Sequence, residues 1–346
     1  MTREHRLPAA SGLAELLDRL ITLEPPLNGV GPGAVSPGGL DRLYRAARQQ
    51  VGRPLADGAA DRLLRRVRAG DRLVLTTGLV APGIPRGETD GPAGAVALAR
   101  ALILGRRVRV VLVTEPSAVP VLEGAADSLA TSEGDRARWR ADLTVLAFPS
   151  DPRAATVEAR RLWRALQPSA LVSVEKLGPN AKGVIHNMQG RDVTATQART
   201  DRLFPLARRA GALTIGIGDR GNEIGLGGLL PRAGRCACPC GGSIACVVRA
   251  EVPVVAFSSN WGAYGVAAAI AVRLGHPGLL HQARSEARML RRMVRAGAVD
   301  GITRRRAPTV DGGGLPLQTA IVELLGVLVT PGFGPPGRKS LQRTLM

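Results

Sequence analysis

Leu171-Val-Ser-Val-Glu-Lys-Leu-Gly-Pro-Asn-Ala-Lys-Gly-Val-Ile-His-Asn-Met-Gln-Gly-Arg191 changes character at Glu175. Up to Val174 it is a short apolar run with the length and β-branched content of a buried strand. Beyond it lies a polar loop carrying Glu175, Lys176, Asn180, Lys182, His186, Asn187 and Arg191. Open α/β sheets build their sites where strands empty, at their carboxyl ends, into such loops. Only three of the 47 basic residues are lysines, and two of those, Lys176 and Lys182, fall here. Asparagine is nearly as scarce, and Asn180 and Asn187 fall here as well. Rare residue types gathered in one loop point to local chemical need, although asparagine and glycine also serve as ordinary turn formers.

Working outward, the same strand-then-helix rhythm repeats. Short apolar runs over residues 72–76, 108–114, 143–148, 170–174 and 212–217 read as strands. Helical spacing over 92–104, 116–129, 153–166 and 194–210 fills the gaps between and after them. Two more strands are expected at 244–248 and 252–257, and helices at 263–274, 279–295 and 316–328. Such alternation implies an α/β fold: a mostly parallel, twisted sheet with helices on both faces. Ahead of it, residues 11–23, 40–50 and 57–69 read as three helices. The expected organisation is a helical N-terminal segment over 1–70, an α/β domain over 71–330, and a Pro/Gly/Arg-rich tail over 331–346 that should fray. No internal repeat is visible.

The bulk numbers exclude several classes. A chain of 346 residues can bury a large core. Its nine aromatic residues offer no stacking surface for single-stranded nucleic acid. The net charge of +19 comes almost entirely from arginines spread along helical stretches such as Asp61–Arg68 and Ser285–Arg295. They read as solvated helix faces, so no specific nucleic-acid partner is expected, although salt-sensitive adherence to polyanions is. No run of about 18 apolar residues and no signal-peptide core is present. A cytoplasmic protein with no membrane partner is therefore expected, and a homo-oligomer is left open.

Gly216-Ile-Gly-Asp-Arg-Gly221 matches the dinucleotide pattern G-x-G-x-x-G after a strand. The helix that should follow is interrupted by Gly225, Gly227, Gly228 and Pro231, and no acidic residue ends a following strand about 20 residues on. A ligand-facing loop fits better. There Asp219, Asn222 and Glu223 can take a substrate ammonium or, through Asp219 and Glu223, a hard divalent cation such as Mn2+ or Mg2+. Cys236-x-Cys-x-Cys240 with Cys246 departs from paired C-x-x-C spacing, so zinc is weakly indicated, and Cys246 sits in an apolar run as a buried small residue would. Asp90, just ahead of a helix, reads either as its cap or as a site residue.

Six stretches in order resemble the D-glutamate cyclase C-terminal domain, long known in bacteria as a domain without assigned function. They are Glu88-Thr-Asp-Gly-Pro-Ala-Gly94, residues 175–192, residues 216–227, Ile244-Ala-Cys-Val247, Ser259-Asn-Trp-Gly-Ala-Tyr264 and Val310-Asp-Gly312 with the helix after it. The family pattern carries glycine where Arg220 stands, and longer vertebrate members add a hydro-lyase-like region that this sequence does not show. The resemblance implies a lyase that closes D-glutamate to 5-oxo-D-proline with loss of water.

That chemistry needs a neutral amine, a drained carboxyl charge and a proton for the departing oxygen. On this reading Glu175 or Glu223 is the base, Lys182 a cationic catalyst and His186 the proton donor. Asp90, Lys176, Asn180, Asn187, Arg191, Asn222 and Asn260 bind the substrate. No nucleotide is needed, and a divalent cation can serve as Lewis acid. The alternative from another class is a non-catalytic binder of an amino acid or small anion on the same fold.

Overall fold

The computed structural model describes residues 9–26, 39–229, 234 and 236–333. The chain opens with helices α1 (Ala9–Ile21), α2 (Gly39–Val51) and α3 (Leu55–Arg66). Then follow β1 (Arg72–Thr77), α4 (Pro92–Arg106), β2 (Arg109–Thr114), α5 (Val119–Leu129), the short α6 (Glu133–Arg138), β3 (Leu143–Ala147), α7 (Pro152–Leu166) and β4 (Ala170–Val174). After the central loop come α8 (Leu203–Arg209), β5 (Leu213–Gly218), β6 (Val252–Val255), α9 (Ser259–Leu274), α10 (Ala283–Ala296) and α11 (Leu315–Val329).

Among the described residues six strands form one all-parallel sheet in the order β3-β2-β1-β4-β5-β6. Their Val, Leu and Ile runs are buried on both faces, as a parallel sheet under helices requires. Leu73, Leu75, Leu112, Val172 and Ile215 face a large core with α3, α4, α5, α9, α10 and α11. Val74, Val111, Val113 and Leu171 face a smaller one with α7 and α8. The first three helices share the larger core: Leu17, Ile21, Leu43 and Leu63 are buried in it, and Phe257 N donates to Ile21 O at 2.8 Å.

Helices α4 and α9 are buried along most of their length because small residues line both. Gly94 lets them meet, since a Cβ there would lie 2.8 Å from Asn260 Cα and 2.9 Å from Ala263 Cβ. The amphipathic α7 and α10 bury Ala155, Ala159 and Leu162, and Met289, Leu290 and Met293. Arg160, Arg161, Arg164, Arg284, Arg291, Arg292 and Arg295 point to solvent from them. Among the described residues no helix is long and apolar enough to cross a membrane.

Three local expectations are corrected. Residues 244–248 are no strand: Cys246 N donates to Gly221 O (3.0 Å) and Val247 N to Pro179 O (2.9 Å). Those amides tie loops together instead of extending the sheet. The helix expected over 194–210 is reduced to α8, preceded by 3-10 turns at Thr194–Thr196 and Thr200–Arg202. Helix α9 starts at Ser259, four residues before the expected start, and brings Ser259 and Asn260 to the strand ends. The tail over 334–346, residues 1–8 and most of the loop between α1 and α2 lie outside the described residues.

Candidate active site at the strand reversal

Strand order reverses between β1 and β4, because β1 leads outward to β2 and β3 while β4 leads to β5 and β6. Such a reversal opens a crevice at the carboxyl ends of the strands. The loops after β1, β4 and β5, the start of α9 and the turn before α11 converge there. They deliver Glu88 and Asp90, Glu175, Asp219, Ser258 and Ser259, and Asp311. The G-x-G-x-x-G stretch begins in the last three residues of β5 and leads into no helix. Gly216 instead packs backbone to backbone on Gly225, where a Cβ on Gly216 would lie 2.4 Å from Gly225 Cα.

Asp90 caps α9. It accepts from Ser258 Oγ (2.7 Å), Ser259 N (2.9 Å) and Asn260 N (2.8 Å). Helix α4, which it precedes, has no side-chain cap from its own N-cap residue, Gly91. Asn260 supplies that function, with Oδ1 accepting from Gly91 N (2.9 Å) and Gly94 N (2.7 Å). Both helix N-termini therefore point their partial positive charge at the carboxylates.

Glu175 leaves β4 with φ at 46°, and its Oε2 accepts from Ser259 Oγ at 2.5 Å. Of the five non-glycine residues with left-handed φ among those described, Glu175, Arg304 (60°) and Asp311 (51°) line the crevice. Each such residue stores about 1–3 kcal/mol, and backbone strain of this kind gathers at working sites. The crevice holds about 70 Å³, far below the roughly 300–1,000 Å³ of sites for drug-sized molecules. Glu88, Glu175, Asp219, Arg220, Asn222 and Asp311 form its polar wall, and Leu79, Ile84, Leu177 and Met188 its apolar one.

The electrostatics are unusual. Burial pushes the carboxyls of Glu88, Glu175 and Asp311 well above the usual carboxylate range, and their acidic neighbours push them further. Asp219 is raised mainly by burial, against the pull of Arg220, whose Nε sits 2.9 Å from its Oδ2. Asp90 is raised by burial despite its capping bonds. One oxygen each from Asp90, Glu175 and Asp219 lie within 4.8 Å of one another. Glu88 Oε1, Asp219 Oδ1, Asn222 Oδ1 and Asp311 Oδ2 are buried with no hydrogen-bond partner. Buried acceptors without donors are costly. An oxygen-only donor set of this charge fits a hard divalent cation.

The structure sorts the sequence candidates. Glu175, Asp219, Asn187 and Asn222 line the crevice. Glu223 does not: its carboxylate accepts from Asp219 N (3.2 Å), Arg220 N (2.8 Å) and Gly221 N (2.7 Å), which shapes the loop after β5. Lys176 is fully buried, paired with Glu115 and donating to Gly78 O (2.9 Å) and Gln197 Oε1 (3.1 Å). Asn180 Oδ1 accepts from Lys182 N (2.9 Å) and Val184 N (3.1 Å), closing its own turn. Lys182 and Arg191 are exposed and contribute nothing to the crevice wall. Asn260 is buried in its capping bonds. His186 is not among the residues lining the crevice, and its Nε2 lies 3.2 Å from Cys238 Sγ, so the proton-donor role does not follow from its position.

Sequence reasoning missed Glu88 and Asp311 as site residues, although both sit inside motifs it quoted. It also missed Ser259 and Arg304.

A family model described as D-glutamate cyclase-like, C-terminal, matches residues 41–326. Human mitochondrial D-glutamate cyclase is 30% identical over 194 residues, covering 54% of this chain and 30% of that protein. The matched stretch thus spans under a third of the human relative. A structure of O-ureido-L-serine synthase with O-ureido-L-serine bound is 14% identical with a TM-score of 0.21, covering 89% of this chain and 85% of that one.

Proposed function

The chain belongs to the D-glutamate cyclase-like C-terminal family, and from that premise we propose that it is a lyase closing D-glutamate to 5-oxo-D-proline with loss of water. The observation that carries the proposal is the acidic crevice: buried carboxylates with unpartnered oxygens, faced by Arg220, in a space sized for a small polar molecule.

The reaction joins the α-amine nitrogen to the γ-carboxyl carbon and expels one carboxyl oxygen as water. The amine must first lose a proton. Glu175, with its affinity for protons raised by burial and by its acidic neighbours, accepts one and can return it to the departing oxygen, and the second proton that the nitrogen sheds on forming the amide completes the water. Ser259 Oγ–H on Glu175 Oε2 holds that carboxyl in place. Asn222 Oδ1 and Asp311 Oδ2, both lacking donors, are suited to receive the ammonium. Arg220 and Arg304 are the cations available to the substrate's carboxylates. Holding amine and carboxyl in ring-closing geometry contributes as well, in the best intramolecular cases about 7–11 kcal/mol. Asp219 and Asp90 would hold a divalent cation such as Mn2+ or Mg2+, which would polarise the γ-carboxyl as a Lewis acid.

The test is turnover of D-glutamate by the purified protein, with L-glutamate in parallel, with Mn2+ or Mg2+ and after EDTA. Product from the D-isomer supports the reading. Folded protein that yields no 5-oxoproline under any of these conditions overturns it. A saturable thermal shift with D-glutamate but no product would then favour the binding protein.

A further inference from the structure

We propose that Cys236, Cys238, Cys240 and His186 form a closed structural zinc site, separate from the acidic crevice. The three Sγ atoms and a ring nitrogen of His186 all lie within 4.8 Å of one another. His186 Nε2 is 3.2 Å from Cys238 Sγ and 3.5 Å from Cys240 Sγ. Cys236 Sγ is 3.3 Å from Cys240 Sγ and 3.5 Å from Cys238 Sγ. A tetrahedral zinc with bonds of about 2.3 Å to sulfur and 2.0–2.1 Å to nitrogen needs edges of roughly 3.5–3.8 Å between its ligands. Four of the six edges, at 3.2–3.5 Å, come within about half an ångström of that figure, and the remaining two lie within 4.8 Å.

The cluster is neither a disulfide nor core packing. All three cysteines are free thiols, and their separations are far beyond a disulfide bond of about 2.05 Å. Three thiols and an imidazole converging from sites some 50 residues apart in sequence have no apolar reason to meet. The cysteines are half-buried, not enclosed as core cysteines are. Thiolate and imidazole are the donors zinc takes in closed Cys3His sites. Cys246, the fourth cysteine of the sequence pattern, is buried elsewhere against Gly178 and is no part of it. His186 takes its place.

The site would act as a clip. His186 belongs to the loop after β4, and its carbonyl receives Asn222 Nδ2 at 2.9 Å. Asn187, Met188 and Gln189, which follow it, form one wall of the crevice. The cysteine loop lies over this segment: Ala237 N donates to Gly190 O (2.9 Å) and Asn180 Nδ2 to Ser243 O (2.9 Å). Zinc would fasten the two loops and hold that wall. Its four protein ligands leave no open position, so it takes no part in the chemistry, and its thiolates distinguish it from the oxygen donors of the crevice.

The full-length protein, produced with zinc in the medium and washed with EDTA, should retain about one zinc per chain by elemental analysis. Mercurial titration of the thiols should release it, and cobalt replacement should give the visible spectrum of a tetrahedral thiolate centre. Cys238→Ser and Cys240→Ser should lose most of the metal, while Cys246→Ser keeps it. Zinc-free protein that shows no thiolate–cobalt spectrum after reduction and reconstitution overturns the proposal, and so does equal loss of zinc in Cys246→Ser. Metal content is read without substrate, so the result stands whether or not D-glutamate is turned over.

Discussion

Asp90 and Asn260 exchange helix caps: Asp90, just ahead of α4, receives the first amides of α9, and Asn260, in the first turn of α9, receives Gly91 N and Gly94 N at the start of α4. The exchange locks two buried helices together and holds an Asp90 oxygen within 4.8 Å of oxygens of Glu175 and Asp219. Asn260→Ala would leave two buried amides without an acceptor. A loss of about 1–3 kcal/mol is expected from the unmatched donors. Urea denaturation with an unchanged slope and a lower midpoint would show it. Turnover should fall too, since Asp90 is placed by the same exchange, and a variant as stable as the parent would contradict the capping account.

The carboxyls of the crevice make stability depend on pH. Burial and mutual repulsion raise Glu88, Glu175 and Asp311 above their unfolded values, so the folded protein holds protons that the unfolded chain has released. Their contribution to stability is full below the ordinary carboxylate range, about 3.9–4.3. It is lost as pH rises through the raised folded values. Without divalent cations the melting temperature should therefore decline from mildly acid towards neutral pH. Mn2+ or Mg2+ should recover it most at the neutral end, where the carboxylates are ionised. A cation-induced shift of equal size at every pH would speak against cation binding by these groups.

Arg220 stands where the family pattern carries glycine, and its guanidinium is buried against Asp219 and near the Phe257 ring. It acts as a built-in counter-charge. Arg220→Gly should destabilise the metal-free protein by about 3–5 kcal/mol, as removing one partner of a buried pair does. The same variant should bind Mn2+ more tightly, because a cation no longer competes with the guanidinium for Asp219. Calorimetric titration against the parent protein checks this, and weaker binding in the variant would rule out such competition.

Much of the fold is legible in the sequence because it depends on short-range pattern. All six strands fall on apolar runs, since a parallel sheet buried on both faces needs continuous Val, Leu and Ile. The strand-end loops follow from the same pattern, and with them Glu175, Asp219 and Asn222. What stays hidden are the partners of polar groups. Lys176 is one of only three lysines, and its ammonium lies in a buried site made by Glu115, Gly78 and Gln197, residues far from it in sequence. Glu223 reads as a free ligand until three amides of its own loop are seen to surround it. The run at 244–248 has strand composition, but its amides find loop carbonyls before they find a sheet edge. His186 and the cysteines lie about 50 residues apart, and nothing local links them.

The contrast between Glu175 and Lys182 gives the sharpest test of where the chemistry happens. Both belong to the loop after β4, but Glu175 is buried beside Ser259 while Lys182 is exposed at a turn. Glu175→Gln keeps the shape and the hydrogen bond from Ser259, yet it cannot accept a proton. A fall in kcat of about 10²–10⁴ is expected from loss of a general base. Lys182→Ala should leave kcat within about threefold, since exposed substitutions away from special features change free energies by about 0.5 kcal/mol or less. Steady-state kinetics on D-glutamate, with folding checked by circular dichroism, decides between them. If Lys182→Ala were the variant that lost activity, the loop would have to close over the crevice during turnover, and the proton route through Glu175 would need to be replaced.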